Sequence, residues 1–205
     1  NGTLKAGIAL PLIPGHEICG TIVALGREVR GLAVGQPVAT TQRAHVCGIC
    51  RHCTQGREPL CAEAVFLGDA GLNGGYAEYV ALDAGMVVPV PEGVAPEAAA
   101  IAACAIGTMF HAAREVGCVA LGDTVLVTGA GGGLGVHGVQ LARLAGARVL
   151  AQTTSPSKVA RLREAGADEI VLHARGEDFS AAVRDLTAGE GADIVLDTVG
   201  TPLFR

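Results

Sequence analysis

The sequence predicts an all-β module followed by an α/β domain built on a parallel sheet, and three observations carry that prediction. Up to about residue 105, short β-type runs are separated by Gly and Pro. Beyond Gly122, strand-like and helix-like patterns alternate, which is the pattern of a parallel sheet covered by helices on both faces. Between the two, Pro96 opens an Ala-rich helical stretch suited to a junction.

In the first part, residues 20–25, Pro37–Thr40, 76–80 and 86–90 read as strands, since each is rich in β-branched, small or aromatic residues. Helices are expected over 97–103 and 108–116. In the second part the expected order is strand Thr124–Thr128, helix 134–145, strand 148–152, helix 157–165, strand Glu169–Leu172, helix 179–187 and strand 193–196. These boundaries make residues 1–105 one domain and 106–205 another.

The run Cys47-Gly48-Ile49-Cys50-Arg51-His52-Cys53, followed by Cys61, sets four thiols at metal-ligand spacing. Four thiolates at such intervals fold a short loop, residues 47–61, around one tetrahedral Zn²⁺. A closed four-sulfur site has no open position, so it braces a lobe and does no chemistry. Two disulfides are the alternative. The chain is long enough to bury a core without such staples, and seven cysteines would leave one unpaired, which favours zinc and a reducing compartment.

Composition narrows the class. Half of the residues are hydrophobic and 17% charged, which describes a folded globular chain. A net charge of −5 with no clustered Lys/Arg argues against nucleic acid or a membrane surface as partner. No uninterrupted apolar stretch has bilayer length and no signal peptide opens the chain, so the cytoplasm is the expected location. The first residue is Asn1 and the last, Arg205, follows a strand-like segment, as expected for a piece of a longer protein.

The turn Thr128-Gly129-Ala130-Gly131-Gly132-Gly133-Leu134-Gly135 lies between the first strand and first helix of the α/β part. In that setting small residues let backbone N–H groups approach a pyrophosphate at a helix N-terminus. The register is Ala130-x-Gly132-x-x-Gly135, with Gly129 just ahead. About 20 residues on, a site for NAD places an acid at the end of the second strand. Here that strand runs into Thr153-Thr154-Ser155-Pro156-Ser157-Lys158, with no carboxylate. Hydroxyls and a cation suit a ribose 2′-phosphate, so NADP(H) is expected over NAD(H). Ser155-Pro156 also reads as the cap and first residue of the next helix.

Gly15-His16-Glu17 and the distant Cys104 are candidates for a second metal site, although a lone His or Cys is more often a packing residue. His45, His52, His111, His137 and His173 are read as packing or surface residues.

These motifs, with Gly74-Gly75-Tyr76-Ala77-Glu78-Tyr79, Cys104-Ala105-Ile106-Gly107-Thr108 and Asp197-Thr198-Val199-Gly200, together resemble the zinc-containing medium-chain dehydrogenase/reductase family, the alcohol dehydrogenase superfamily. The resemblance covers nearly the whole chain, in the family's order. It implies an α/β fold: a partial GroES-like catalytic domain, then a partial Rossmann doubly wound parallel sheet, with the active site in the cleft between them. It also implies that His16 and Cys104 are ligands of a catalytic zinc and Glu17 the exchangeable carboxylate beside it. The family's remaining ligand is a Cys upstream of Asn1, so this piece is expected to bind catalytic metal poorly and to be inactive alone. Thr108 matches a residue against the nicotinamide, and Thr198 and Val199 a turn over the cofactor.

A finer resemblance, through Gly135-Val136-His137-Gly138-Val139-Gln140, Thr153-Thr154-Ser155 and Asp197-Thr198-Val199-Gly200-Thr201-Pro202, is to the acryloyl-coenzyme A reductase branch. Three functions follow from these resemblances. The first is a zinc-dependent, NADP(H)-using oxidoreductase of alcohols, carbonyls or activated alkenes. The second is a quinone or enoyl reductase with the structural zinc alone, and the third a non-catalytic dinucleotide-binding protein. The expected partner is a small-molecule substrate, and the full-length protein is expected to be a homo-oligomer.

Overall fold

The computed structural model describes residues 10–68 and 72–200. It divides into two units, Asn1–Cys104 and Ala105–Arg205.

The first unit is built from short strands: β1 (Cys19–Thr21), β2 (Pro37–Thr40), β3 (Arg43–His45), β4 (Val65–Phe66) and β5 (Val87–Pro89). β1, β2 and β5 form an antiparallel sheet with β2 in the middle, pairing Gly20 with Val38 and Ala39 with Val88. β3 and β4 make a separate antiparallel pair. Helix α1 (Pro96–Ile101) starts at a Pro in its first turn, where a missing N–H costs nothing, and packs against β1 and β2. An apolar groove of about 850 Å³ runs beside the sheet, lined among others by Ile22, Leu25, Leu32, Val38 and Val80.

Residues 76–80, expected as a strand, form none: 76–78 are bends and 79–80 have no regular structure. The reason lies in residues 13–15. Gly74 N–H donates to Ile13 O, Gly75 N–H to Gly15 O at 2.9 Å, and Tyr76 N–H to Pro14 O at 3.1 Å. Those bonds take up the amides that lead into 76–80. The two strands of the β3–β4 pair were not expected, having three and two residues and therefore almost no periodicity to read.

The second unit opens in helical turns: part of a π-helical turn (Ala102–Ile106), α2 (Gly107–His111) and a second π-helical turn (Ala112–Val116). Then come β6 (Thr124–Thr128), α3 (Gly133–Leu144), β7 (Arg148–Thr153), α4 (Val159–Glu164), β8 (Glu169–Leu172), α5 (Ser180–Leu186) and β9 (Ile194–Asp197). All four strands are parallel, in the order β8-β7-β6-β9. The side chains of β6 and β7 alternate between two helical layers. Val125, Val127, Val149 and Ala151 pack with Val139 and Ala142 of α3, Met109 of α2 and Leu162 of α4. Leu126 and Leu150 face the other way, toward Val183 of α5. Burial on both faces explains the near-continuous apolar runs of these strands and makes the sheet doubly wound. Among the described residues no helix is long and apolar enough to cross a membrane.

Candidate functional site

The sulfurs of Cys47, Cys50, Cys53 and Cys61 all lie within 4.8 Å of one another. Cys50–Cys53 and Cys61–Cys47 are each 3.6 Å apart and Cys47–Cys53 is 4.0 Å. Sulfurs about 2.3 Å from a central Zn²⁺ stand about 3.8 Å from each other, so the donor set has the right size. The local chain builds it. A 3₁₀ turn at Cys53–Gln55 closes on Gly56 in the left-handed region, and a second at Glu58–Leu60 delivers Cys61. The sulfurs do not share one proton affinity. The backbone amide of Cys53 holds the Cys50 thiol down at about 7, whereas burial and then the Cys50 sulfur push Cys53 up to about 12. Four thiolates this close need a compensating cation, and zinc fits.

His16 and Cys104 come together in the first unit. Nε2 of His16 stands 3.4 Å from Sγ of Cys104. A nitrogen and a sulfur bound to the same tetrahedral zinc stand about 3.5 Å apart, so this pair also fits a metal. Gly15 places the imidazole. Its φ of +102° is open only to glycine, and a Cβ there would fall 2.8 Å from the Tyr76 ring. A Cβ on Gly74 would come 2.8 Å from the Pro14 carbonyl and closer still to Gly15 O. The Gly74-Gly75-Tyr76 motif thus holds the His16 segment rather than forming a strand. Cys104 sits in the π-helical turn that follows α1, a geometry frequent at functional sites. Burial raises its pKa, and the hydrogen bond and negative charge of Glu17 raise it further. Glu17 therefore faces the same thiol.

In the second unit the glycine turn joins β6 to α3. Gly132 precedes the helix in extended conformation with no side-chain cap, leaving the first N–H groups of α3, from Gly133 to Gly135, to a ligand. Three of the four earlier amides of the turn are already used. Gly129 N–H donates to Gln152 Oε1 at 2.7 Å, Ala130 N–H to Gln152 O at 2.9 Å, and Gly132 N–H to Gly129 O at 2.9 Å. A Cβ on Gly135 would come 2.6 Å from Ala130 Cα, so only glycine lets the helix approach the turn so closely. Gly129, with φ +59°, lies against Thr198 and Val199: a Cβ there would fall 2.7 Å from Thr198 Oγ1 and 2.8 Å from Val199 Cγ2. Thr198 Oγ1 donates to Thr128 O at 2.8 Å. The β9 turn is thereby pinned to the glycine turn.

At the end of β7, Thr153 is buried and its hydroxyl accepts from Ser155 N–H at 3.2 Å, while Thr154 is exposed. Ser155 precedes the 3₁₀ turn Pro156–Lys158 without a side-chain capping bond, contrary to the expected cap. Its hydroxyl instead meets Ser157 Oγ at 3.0 Å. Lys158 reaches back over the turn, with Nζ 2.6 Å from Gly131 O. Thr108 is exposed on α2. Thr201 and Pro202 of the finer resemblance lie outside the described residues. Sequence reasoning missed Gln152 as a site residue and set His173 aside as a packing residue. The available signal was a lone amide side chain directly after the apolar run of β7.

Comparison with known proteins places both parts of the chain in one family. Residues 1–92 match the family model of the alcohol dehydrogenase GroES-like domain, and residues 133–205 that of the zinc-binding dehydrogenase. The chain is 34% identical to an acryloyl-coenzyme A reductase from Sulfurisphaera tokodaii, over 95% of this chain and 55% of that protein. It is 38% identical to an L-threonine 3-dehydrogenase from Anaeromyxobacter, over 94% and 54%. Among solved structures, AibC matches with a TM-score of 0.90 at 43% identity, covering 99% of this chain and 56% of that one. The chain thus spans about half the length of the curated relatives it matches. Its GroES-like and Rossmann-type parts, each carrying its expected motifs, make it a member of the zinc-containing medium-chain dehydrogenase/reductase superfamily.

Proposed function

We propose that the whole protein is a zinc-dependent oxidoreductase that moves hydride between NADP(H) and an alcohol, a carbonyl or an activated alkene. The observation that carries this reading is the 3.4 Å approach of His16 Nε2 to Cys104 Sγ, with Glu17 facing the same thiol. In this reading residues 1–105 belong to the catalytic domain and 106–205 to the cofactor domain. The enzyme is a cytoplasmic homo-oligomer acting on a small molecule.

His16 offers a neutral ring nitrogen and Cys104 a sulfur as ligands. To ligate, the thiol must lose its proton, and the Glu17 carboxylate beside it is the exchangeable ligand of the same ion. The amides of Gly133, Leu134 and Gly135 receive the pyrophosphate, with Gly129, Ala130 and Gly132 shaping the turn. Thr153, Thr154, Ser155 and Lys158 surround the ribose phosphate, while Thr198 and Val199 cover the turn and Thr108 lies toward the nicotinamide. When bound, zinc polarises a substrate oxygen and the nicotinamide supplies hydride.

A second reading, a quinone or enoyl reductase that keeps only the structural zinc, draws support from the relatives named acryloyl-coenzyme A reductase. One experiment addresses both. The full-length protein is assayed for bound zinc and for turnover of alcohols, aldehydes, enones and acyl-thioesters, beside His16→Ala. Two zinc ions per subunit, with one ion and most turnover lost in the variant, support the first reading. One zinc and unchanged enone or thioester reduction in His16→Ala overturn it in favour of the second.

A further inference from the structure

Gln152 is 2% exposed, yet its side-chain amide has a partner at each end. Its Oε1 faces Gly129 N–H at 2.7 Å, and its Nε2 meets Nε2 of His173. The other ring nitrogen of His173, Nδ1, lies 2.7 Å from Ala174 O. A carbonyl oxygen only accepts, so Nδ1 carries the proton and Nε2 of the neutral ring is an acceptor. Gln152 Nε2 therefore donates to His173, and Oε1 is left to accept from Gly129. Every donor and acceptor in the chain from Gly129 to Ala174 is thus determined, and no member can turn round alone. The His173 ring is itself held by stacking on Phe179, with centroids 4.6 Å apart.

The glycine held in this way is the one at which the backbone enters the left-handed region. The backbone carbonyl of Gln152 also binds the next amide, that of Ala130. One residue of β7 therefore fixes both amides that start the turn. We propose that Gln152, oriented by His173, is the positioning residue that sets the shape of the dinucleotide-binding turn, with His173 acting only through Gln152. This rests on the reading that the turn holds NADP(H).

The test measures NADPH dissociation constants and steady-state kinetics on the full-length protein and its variants. Gln152→Leu orphans the Gly129 amide and should weaken NADPH binding on the order of tenfold or more. His173→Phe keeps the stack on Phe179 but removes the acceptor, so the Gln152 NH₂ is left buried without a partner and its amide is no longer fixed from both ends. With the Gln152 amide held at its Oε1 end alone, the variant should raise the KM for NADPH several-fold, leaving kcat and the KM for the carbonyl or alkene substrate near wild type. His173→Gln restores an acceptor and should restore the affinity. In Gln152→Leu/His173→Phe the second change should add nothing further, since its path runs through the missing amide. Should Gln152→Leu fail to fold, the contrast between His173→Phe and His173→Gln decides alone. Wild-type affinity in His173→Phe, or additive losses in the double variant, would overturn the proposal while leaving the cofactor site in place. A full-length wild type that binds no dinucleotide overturns both.

Discussion

Thr128 and Asp197 end neighbouring parallel strands in register, and the Thr128 hydroxyl donates to the Asp197 carboxylate. The same carboxylate accepts from Val199 N–H at 3.0 Å and Gly200 N–H at 2.9 Å, so one side chain holds the whole β9 turn. Partial burial raises the Asp197 pKa, but the Thr128 hydroxyl and the two amides outweigh it, and the net direction is down. A carboxyl depressed by folding contributes stability that is complete above its unfolded value of about 3.9. That contribution is lost as pH falls through the lower folded value. Acid unfolding followed by circular dichroism should therefore show Asp197→Asn less stable than wild type at neutral pH, with the gap closing below about pH 4. A gap that stays constant down to pH 2 would contradict this account.

Lys158 should decide between the two nicotinamide cofactors. Its ammonium rests 2.6 Å from Gly131 O, on a segment that carries Thr154, Ser155 and Ser157 and no carboxylate. Hydrogen bonds to charged groups contribute about 1.5–3 kcal/mol, so Lys158→Ala should raise the KM for NADPH about ten- to a hundredfold and change that for NADH little. Equal effects on the two cofactors would remove the lysine from that role.

Gly135 is irreplaceable for a steric reason. The added methyl of Gly135→Ala would press on Ala130 Cα at 2.6 Å and Ala130 C at 2.9 Å, both main-chain atoms that no rotamer change can clear. Overpacking of this kind costs about 1–3 kcal/mol. Calorimetry should show a lowered Tm and titration a loss of dinucleotide affinity. Gly133→Ala, where an added Cβ meets nothing within 4 Å, serves as the tolerant control for stability.

The cysteine lobe should be separable from the His16–Cys104 pair. Cys53→Ser removes one of four sulfurs gathered within 4.8 Å. Mass spectrometry of metals on the full-length protein should show one zinc fewer. Because a structural zinc contributes folding energy directly, Tm should fall on the order of 5–10 °C. His16→Ala should lose metal and turnover with a much smaller change in Tm. Identical thermal losses in both variants would show that the two sites are not independent.

What could be read in the sequence was local. The zinc lobe was legible because its ligands fall between Cys47 and Cys61, and the glycine turn because the strand before it and the helix after it are contiguous with it. His16 and Cys104, 88 positions apart, carry no such spacing, and only resemblance brought them together. Residues 76–80 looked like a strand, yet the carbonyls of residues 13–15 bind the amides of Gly74, Gly75 and Tyr76. No pattern within residues 76–80 reports a partner sixty residues away. Gln152 went unnoticed for the same reason: its role exists only once β6, β7 and the segment after β8 are side by side.

Because β6 is flanked by both β7 and β9, the turn at its end is gripped from two sides, by an amide side chain on one and by Thr198 on the other. Its conformational entropy is spent when the polypeptide folds rather than when an incoming dinucleotide docks. The empty cradle should therefore already exchange its Gly129 and Ala130 amide hydrogens slowly, a rigidity that lets recognition proceed without rearrangement.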